Sequence, residues 1–128
     1  MQEKHLYEYA VIRVVPRVER EEFINVGVIV FCKKQKFIKM IYEVNTSKIN
    51  NVSADFDCDL VKENLQAFQN IANGIKNGGP IAQFEIAERF RWLTAIRSSI
   101  IQTSRPHPGF CEDLVTRTQK LFNDLVAN

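Results

Sequence analysis

Apolar residues fill two neighbouring segments near the start of the chain, Ala10–Val15 and Val26–Cys32. Both are rich in valine and isoleucine, the β-branched residues that suit a pleated and packed surface, so each is expected to be a strand. A third apolar segment, Phe37–Val44, follows the polar break Lys33–Lys36, whose three lysines are expected to form a solvated turn. Because this break has hairpin length, the three strands are predicted to form an antiparallel meander.

Later in the chain, apolar residues recur at spacings of three and four, which is the period of an amphipathic helix. One helix is predicted over roughly residues 58–76, after a cap at Asp57 and before a run of glycines and a proline. A shorter helix is predicted over Phe84–Ala95, and a closing helix from Cys111 onward.

A fourth strand is expected within Ile96–Thr103, whereas Arg105–Gly109 is expected to be a loop because two prolines and a glycine interrupt regular hydrogen bonding. The predicted order is therefore β-β-β-α-α-β-α. It indicates an α+β domain in which helices cover one face of a mainly antiparallel sheet of about four strands. The segments Tyr7–Cys32 and Ala87–Ser104 are expected to meet, because the first and fourth strands can share a sheet edge.

The first two strands are apolar at nearly every position. An antiparallel sheet with one solvated face would alternate apolar and polar residues instead, so the second face of the sheet is also expected to be covered. A segment of this chain, a second copy of the chain or a different protein would each provide such a cover. The sequence pattern leaves these alternatives open.

The composition is that of one small domain. With 128 residues, 45% of them apolar and 25% charged, the chain is expected to fold as a single domain over residues 1–128. The N-terminus MQEKH lacks a signal peptide pattern, and no apolar run approaches the roughly 20 residues that cross a bilayer, so a cytoplasmic protein without membrane contact is expected. A net charge of +2 gives only weak support to nucleic-acid binding.

The sequence indicates neither a metal site nor a cofactor. Cys32, Cys58 and Cys111 are widely separated and lack a CxxC spacing, so they are expected to be ordinary thiols. Aspartates at positions 55, 57 and 59 alternate as in a calcium loop, but the glycine and bidentate glutamate that such a loop requires are missing. The sequence also lacks a glycine-rich phosphate loop and the GxSxG and HExxH motifs, which favours a non-catalytic protein over an enzyme.

Charged residues crowd the connection between the first two strands. Arginine presents a planar fork of donors that matches carboxylate and phosphate groups alike, so these arginines can hold a phosphate, an acidic peptide or the neighbouring glutamates. The pattern leaves open whether the cluster is a binding site or an internal lattice of ion pairs. Its members are Arg13, Arg17, Glu19, Arg20, Glu22 and Asn25.

Two further groups hold candidate binding residues. On the short helix, Glu88 and Arg91 are spaced for an i,i+3 pair, and Trp92 is either a core anchor or a stacking surface for a base or a peptide side chain. In the loop, His107 follows a proline and an arginine, and because histidine side chains in general change charge near neutral pH, it is a proton donor, a ligand contact or an ordinary exposed loop histidine. The remaining members of these groups are Arg89, Arg97 and Arg105.

Two stretches match the pattern of a known bacterial family. They are YAVIRVVPRVEREEFINVGVIVFC and GPIAQFEIAERFRWLTAIRSSIIQTSRPHPG. Through them, the chain resembles the family catalogued as domain of unknown function 3037 over nearly its whole length. The histidine loop departs from the pattern, because members often have extra residues before the histidine. The matching residues are Arg17, Arg20, Glu22, Asn25, Gly27, Glu88, Arg89, Arg91, Trp92 and Arg97.

The resemblance implies a context and no assigned activity. Genes of this family often lie beside a gene for a HipA-like kinase, the type of toxin found in bacterial toxin and antitoxin modules. The leading hypothesis is a non-catalytic protein that binds another protein, such as this kinase, or itself, through the sheet face and the region of Arg17, Arg20, Arg89 and Arg91. The alternative is an enzyme or binder that acts on a phosphorylated or nucleic-acid ligand through an arginine cluster, with His107 as acid or base.

Overall fold

A computed structural model describes residues 3–17, 22–95 and 99–127, and for Arg17 it describes the backbone only. Its strands are β1 (His5–Arg17), β2 (Glu22–Cys32), β3 (Phe37–Tyr42), β4 (Ile101–Thr103) and β5 (His107–Cys111). Its helices are α1 (Thr46–Val52), α2 (Cys58–Ala72), α3 (Ile86–Leu93) and α4 (Leu114–Leu125), and a 3-10 turn spans Ile81–Gln83. The predicted α+β class is confirmed.

The strands form one antiparallel sheet in the order β3-β2-β1-β4, and β5 also pairs with β1. β1 is 13 residues long, so on the side away from β2 it has room for two short strands, β5 beside its first half and β4 beside its second half. β4 pairs with β1 around Arg13, and β5 pairs with β1 around Tyr7. The predicted fourth strand is therefore confirmed at Ile101–Thr103, and β5 adds a strand that the sequence pattern did not indicate.

The chain has one extra residue between β4 and β5, because residues 104–106 lie opposite residues 10–11 of β1, and we call this irregularity the Ser104 bulge. The Ser104 N–H donates to the Val11 carbonyl over 2.8 Å, and the Ser104 hydroxyl accepts from the Val11 N–H over 2.9 Å. The serine side chain thus supplies the acceptor that a regular strand would supply from its backbone. The prediction of a loop over Arg105–Gly109 was wrong for His107–Gly109, because an edge strand tolerates prolines, which have no N–H to donate.

Helices cover both faces of the sheet. Along β2, Ile29 and Phe31 belong to the apolar cluster that includes α2 and α3, whereas Val28 and Val30 belong to clusters that include α4. This alternation explains why β1 and β2 are apolar at nearly every position, and the cover of the second face is a segment of the chain itself. The predicted antiparallel sheet is confirmed, and α4 differs from the prediction by lying on the face opposite α2 and α3.

Local chemistry sets the ends of the helices. α2 begins at its predicted cap, where the Asp57 carboxylate accepts from the Leu60 N–H over 3.1 Å. It ends at Ala72, earlier than the predicted residue 76, because the following Gly74 takes a left-handed φ of 62°. α4 begins in the same way as α2, with the Asp113 carboxylate accepting from a backbone N–H at 3.1 Å.

The described part of the chain contains neither a membrane-spanning helix nor a metal cluster. No helix within it has the length and apolar character to cross a bilayer. Likewise, no group of three histidine, cysteine, aspartate or glutamate side chains among the described residues is placed to hold a metal ion.

Candidate binding site at the bulged sheet edge

The two arginine-bearing segments of the sequence meet at β1. Arg13 pairs in register with Asn25 of β2 on one side and with Gln102 of β4 on the other. Directly opposite residues of an antiparallel pair place their side chains on the same face of the sheet. The expected meeting of the two segments is therefore confirmed, and Arg13 lies at its centre.

An open cavity of about 740 Å³ lies beside the Ser104 bulge, and we call it the bulge cavity. Its walls come from the sheet edge and from the chain that follows α3. Arg13 and Arg105, which are far apart in the sequence, both line it, and Glu8 contributes a carboxylate. The full lining is Glu8, Arg13, Thr94, Ala95, Thr103, Ser104, Arg105 and Pro106.

Arg13 is held in place without an ion-pair partner among the residues that the structure describes. Its Cζ lies 4.3 Å from the centroid of the Phe23 ring, which is a cation–π contact. Its Nε is buried without a hydrogen-bond partner, and so is the hydroxyl oxygen of Thr103, another lining residue. Because guanidinium N–H groups can only donate, these neighbouring groups leave hydrogen-bond donors without an acceptor.

Hydrogen bonds of the neighbouring Ser104 hold the backbone of Arg105 in place. Ser104 is buried, and its hydroxyl donates to the Arg105 carbonyl over 3.1 Å while it accepts from Val11. The Arg105 side chain itself is exposed. No sequence motif assigns a role to Ser104 or Thr103, because their surroundings arise only when β4 pairs with β1.

Asn25 has a structural contact on the other side of β1. Its Nδ2 donates to the Leu125 carbonyl over 3.1 Å, which ties β2 to the last turn of α4. Its Oδ1 is buried without a hydrogen-bond partner among the described residues. The amide thus helps to hold α4 on the sheet.

Arg89 is bound by its own chain. Its Nη1 donates to the Phe84 carbonyl over 2.8 Å, and its guanidinium packs against Gly74, where an added Cβ would lie 3.0 Å from the Arg89 Cζ. The side chain is half-buried. Arg89 therefore joins the turn after α2 to the start of α3, and we call this contact the α2–α3 joint.

Of the candidate acidic residues, Glu22 and Glu88 are described, and neither forms an ion pair with a described arginine side chain. Glu22, Glu88 and Arg91 are exposed. The i,i+3 pair between Glu88 and Arg91 is accordingly not formed. The ion pairs that the described residues do form are Lys34–Glu3 at 3.9 Å and Lys120–Asp124 at 3.2 Å.

Trp92 and His107 lie in different surroundings. Trp92 is 38% exposed and meets the Phe68 ring edge-on, with centroids 6.1 Å apart. His107 is exposed on β5, and its ring centroid lies 5.4 Å from that of Tyr9, the residue opposite it on β1. His107 does not line the bulge cavity as the described residues define it.

Four candidate residues fall at the gaps between the described ranges. Glu19, Arg20 and Arg97 lie outside the described residues, and Arg17 is placed only by its backbone, which pairs with Glu22. The role expected of these residues stays a prediction.

The fold and the cavity define a small α+β protein whose antiparallel sheet is covered on both faces and carries arginines at a bulged edge. The family model described as "Protein of unknown function (DUF3037)" matches residues 9–126, so the chain belongs to this family. The resemblance in the sequence is thereby confirmed. No curated protein and no solved structure matches the chain.

Proposed function

We propose that this protein is a non-catalytic binding protein that docks onto a partner protein at the bulge cavity, where Arg13 and Arg105 receive a carboxylate or phosphate group of the partner. One observation carries the proposal. Both arginines line the same open cavity, and neither forms an ion pair with a described carboxylate. Arginine binds such groups through paired N–H donors, and a recessed site screens the pair less than open solvent does.

Other surfaces support docking less well. The sheet face that the sequence pattern suggested is occupied by α4. Arg89, which was expected to contribute to a docking surface, already donates to the Phe84 carbonyl. The bulge cavity combines available cations with a concave shape, so it is the favoured surface.

A HipA-like kinase is the first partner to test. The genes of this family often lie beside a gene for such a kinase, which makes the kinase a natural candidate for the occupant of the cavity. Gene neighbourhood is an association, so the proposal of binding rests on the cavity, and the kinase is the partner with which to begin.

The test is isothermal titration of the full chain with a HipA-like kinase of the native host. Arg105→Glu places a negative charge in the cavity and is expected to weaken binding by about tenfold or more. Arg91→Glu makes the same change on an exposed position of α3 and is the matched control, with unchanged affinity expected.

Two outcomes count against this proposal. If Arg91→Glu abolishes binding and Arg105→Glu does not, docking occurs on α3. If the kinase does not bind and a pull-down from the native host recovers no stoichiometric protein, the chain is not an interaction partner.

A small phosphorylated ligand is the second candidate for the same cavity. The volume of about 740 Å³ falls in the range of roughly 300–1,000 Å³ that is common for small-molecule sites. Binding is favoured over catalysis because His107, the expected acid or base, is not among the described residues that line the cavity. Saturable binding of pyrophosphate that is lost in Arg13→Ala would favour this candidate, and the absence of any heat of binding would remove it.

A further inference from the structure

Two of the most exposed apolar side chains lie together near the start of β1, away from the bulge cavity. Leu6 and Phe110 are directly opposite each other in the β1–β5 pair and are 56% and 63% exposed. Side chains alternate along a strand, so Leu6 shares a face with Ala10 and Ile12, which α2 and α3 cover. The exposure of Leu6 shows that neither helix reaches this end of the sheet.

Lysines surround these two apolar side chains and form with them an open concavity of about 580 Å³, which we call the Phe110 corner. Lys34 has an ion pair with Glu3, but their atoms are 3.9 Å apart and the side chains are 83% and 67% exposed. Such an exposed ion pair contributes little to the stability of the fold, so the carboxylate of a binding partner can replace Glu3. The lining residues are Lys4, His5, Leu6, Lys33, Lys34 and Phe110.

We propose that the Phe110 corner is a docking surface for an acidic peptide segment of another protein. One apolar side chain of the segment packs between Leu6 and Phe110, and its carboxylates lie on the surrounding lysines. Protein interfaces commonly have an apolar centre and a polar or charged rim. The centre contributes most of the affinity, and the charges of the rim orient the partner and raise the rate of association. This surface shares no lining residue with the bulge cavity, so the inference goes beyond the proposed function.

The prolines of the edge indicate that the segment is held by its side chains. β5 has no strand on its outer side within the described chain, and an open edge can accept an added strand. Pro106 and Pro108 lack the N–H groups that pairing with an added strand requires. Recognition at this corner therefore depends on Phe110 and the lysines rather than on the backbone of β5.

Other anionic occupants fit the corner less well. Single-stranded nucleic acid binds platforms on which successive bases stack on several aromatic rings, whereas Phe110 is the only phenylalanine, tyrosine or tryptophan among the described lining residues. A lipid surface is broad and flat, whereas the corner is a concavity of about 580 Å³. Shape and composition together favour a peptide.

The test begins with selection of a random peptide library, displayed on phage, against the immobilised full chain. Enriched peptides are expected to carry net negative charge and an aromatic or branched apolar residue. The affinity of the leading peptide, measured by fluorescence anisotropy, is expected to fall by about tenfold in Phe110→Ala and in the double variant Lys33→Glu/Lys34→Glu. All three positions are exposed, so the variants are expected to fold, which circular dichroism checks.

Matched controls make the same changes elsewhere on the surface. Phe84→Ala removes another exposed phenylalanine, and Lys62→Glu/Lys76→Glu reverses two other exposed lysines, so neither is expected to change the affinity. Arg105→Glu is also expected to leave it unchanged, because it alters only the bulge cavity. Failure of the kinase experiment therefore does not affect this test.

Several results would overturn the inference. They include the absence of any enriched peptide, enrichment of neutral or basic peptides, equal affinity for Phe110→Ala, and tighter binding of oligothymidylate or phosphatidylserine vesicles than of the selected peptide. A molar mass that rises with concentration and is restored to the monomer by Phe110→Ala would also overturn it. That result would assign the corner to a second copy of the chain, whose segment Asp55–Leu60 carries alternating carboxylates.

Discussion

The α2–α3 joint and the bulged sheet edge use arginine in opposite ways. At the joint, Arg89 donates through Nη1 to the Phe84 carbonyl over 2.8 Å and packs on Gly74, so this donor serves the fold, although the Arg89 Nε is buried without a hydrogen-bond partner among the described residues, as is the Arg13 Nε. At the edge, Arg13 and Arg105 line an open cavity without an ion-pair partner among the described residues. A structural arginine has a hydrogen-bond acceptor from its own chain, whereas a candidate for binding does not. Membership of an arginine-rich sequence pattern does not distinguish the two.

The bulge itself offers the largest expected effect. Ser104→Ala removes the hydroxyl that accepts from the buried Val11 N–H. An unsatisfied buried donor costs about 1–3 kcal/mol, so the free energy of unfolding in urea is expected to fall by this amount. Ser104→Thr keeps a hydroxyl, so its free energy of unfolding is expected to fall by less than that of Ser104→Ala. Equal stability of Ser104→Ala and the wild type would show that the bulge does not depend on the serine side chain.

At the joint, Gly74→Ala is expected to lower the free energy of unfolding by about 1–2 kcal/mol, because left-handed backbone is unfavourable for residues with a Cβ. The added Cβ would also lie 3.0 Å from the Arg89 Cζ. Combining it with Arg89→Ala relieves this contact, so the double variant should be more stable than the sum of the single effects predicts. Strict additivity in urea unfolding would contradict the contact.

Arg89→Ala alone is expected to lower the free energy of unfolding by about 1 kcal/mol, because it removes the hydrogen bond to the Phe84 carbonyl just before α3 and the packing on Gly74 after α2. The control, Arg91→Ala, alters an exposed position on the same helix and is expected to change stability by less than about 0.5 kcal/mol. Thermal and urea unfolding measure both. If the two variants are equally stable, the joint does not depend on Arg89.

The smallest effect concerns the cap of α4 and depends on pH. Hydrogen bonds from the Thr116 backbone and side chain hold the pKa of Asp113 below its ordinary value. A carboxyl whose pKa is lower in the folded state stabilises the fold above its unfolded pKa, and this contribution is lost as pH falls through the folded pKa. Asp113→Asn keeps an acceptor but does not titrate, so its stability should decline less than that of the wild type between about pH 6 and about pH 3. Parallel declines in urea midpoints would exclude a role for the charge.

Much of the fold follows from local sequence patterns. β-branched runs identified β1 to β3, helical periodicity identified α2 to α4, and the carboxylate of Asp57 marked the start of α2. The strand β5 was missed because two prolines and a glycine dominate its local pattern, whereas its place at the edge depends on pairing with β1. The early end of α2 follows from the conformation of Gly74, which the periodicity of apolar residues does not reveal.

The candidate site was only partly predictable, for a related reason. Arg13 and Arg105 were identified as candidates because arginine is a general ligand for anions, but the cavity that unites them forms only when β4 pairs with β1. The same applies to the Phe110 corner. Lys33 and Lys34 were expected to form no more than a solvated turn, and the pairing of β5 with β1 places them beside an exposed aromatic ring. Strand register is a non-local property that local sequence patterns do not contain.

One pair of variants, Arg105→Glu and Arg89→Ala, separates binding from stability when urea unfolding and titration with a HipA-like kinase of the native host are both measured. Arg105→Glu is expected to unfold at the urea midpoint of the wild type and to bind the kinase about tenfold more weakly. Arg89→Ala is expected to unfold at a lower midpoint and, at a temperature where it is fully folded, to bind the kinase with the affinity of the wild type. The reverse pattern, with binding lost in Arg89→Ala and stability lost in Arg105→Glu, would contradict the proposed roles of the two arginines.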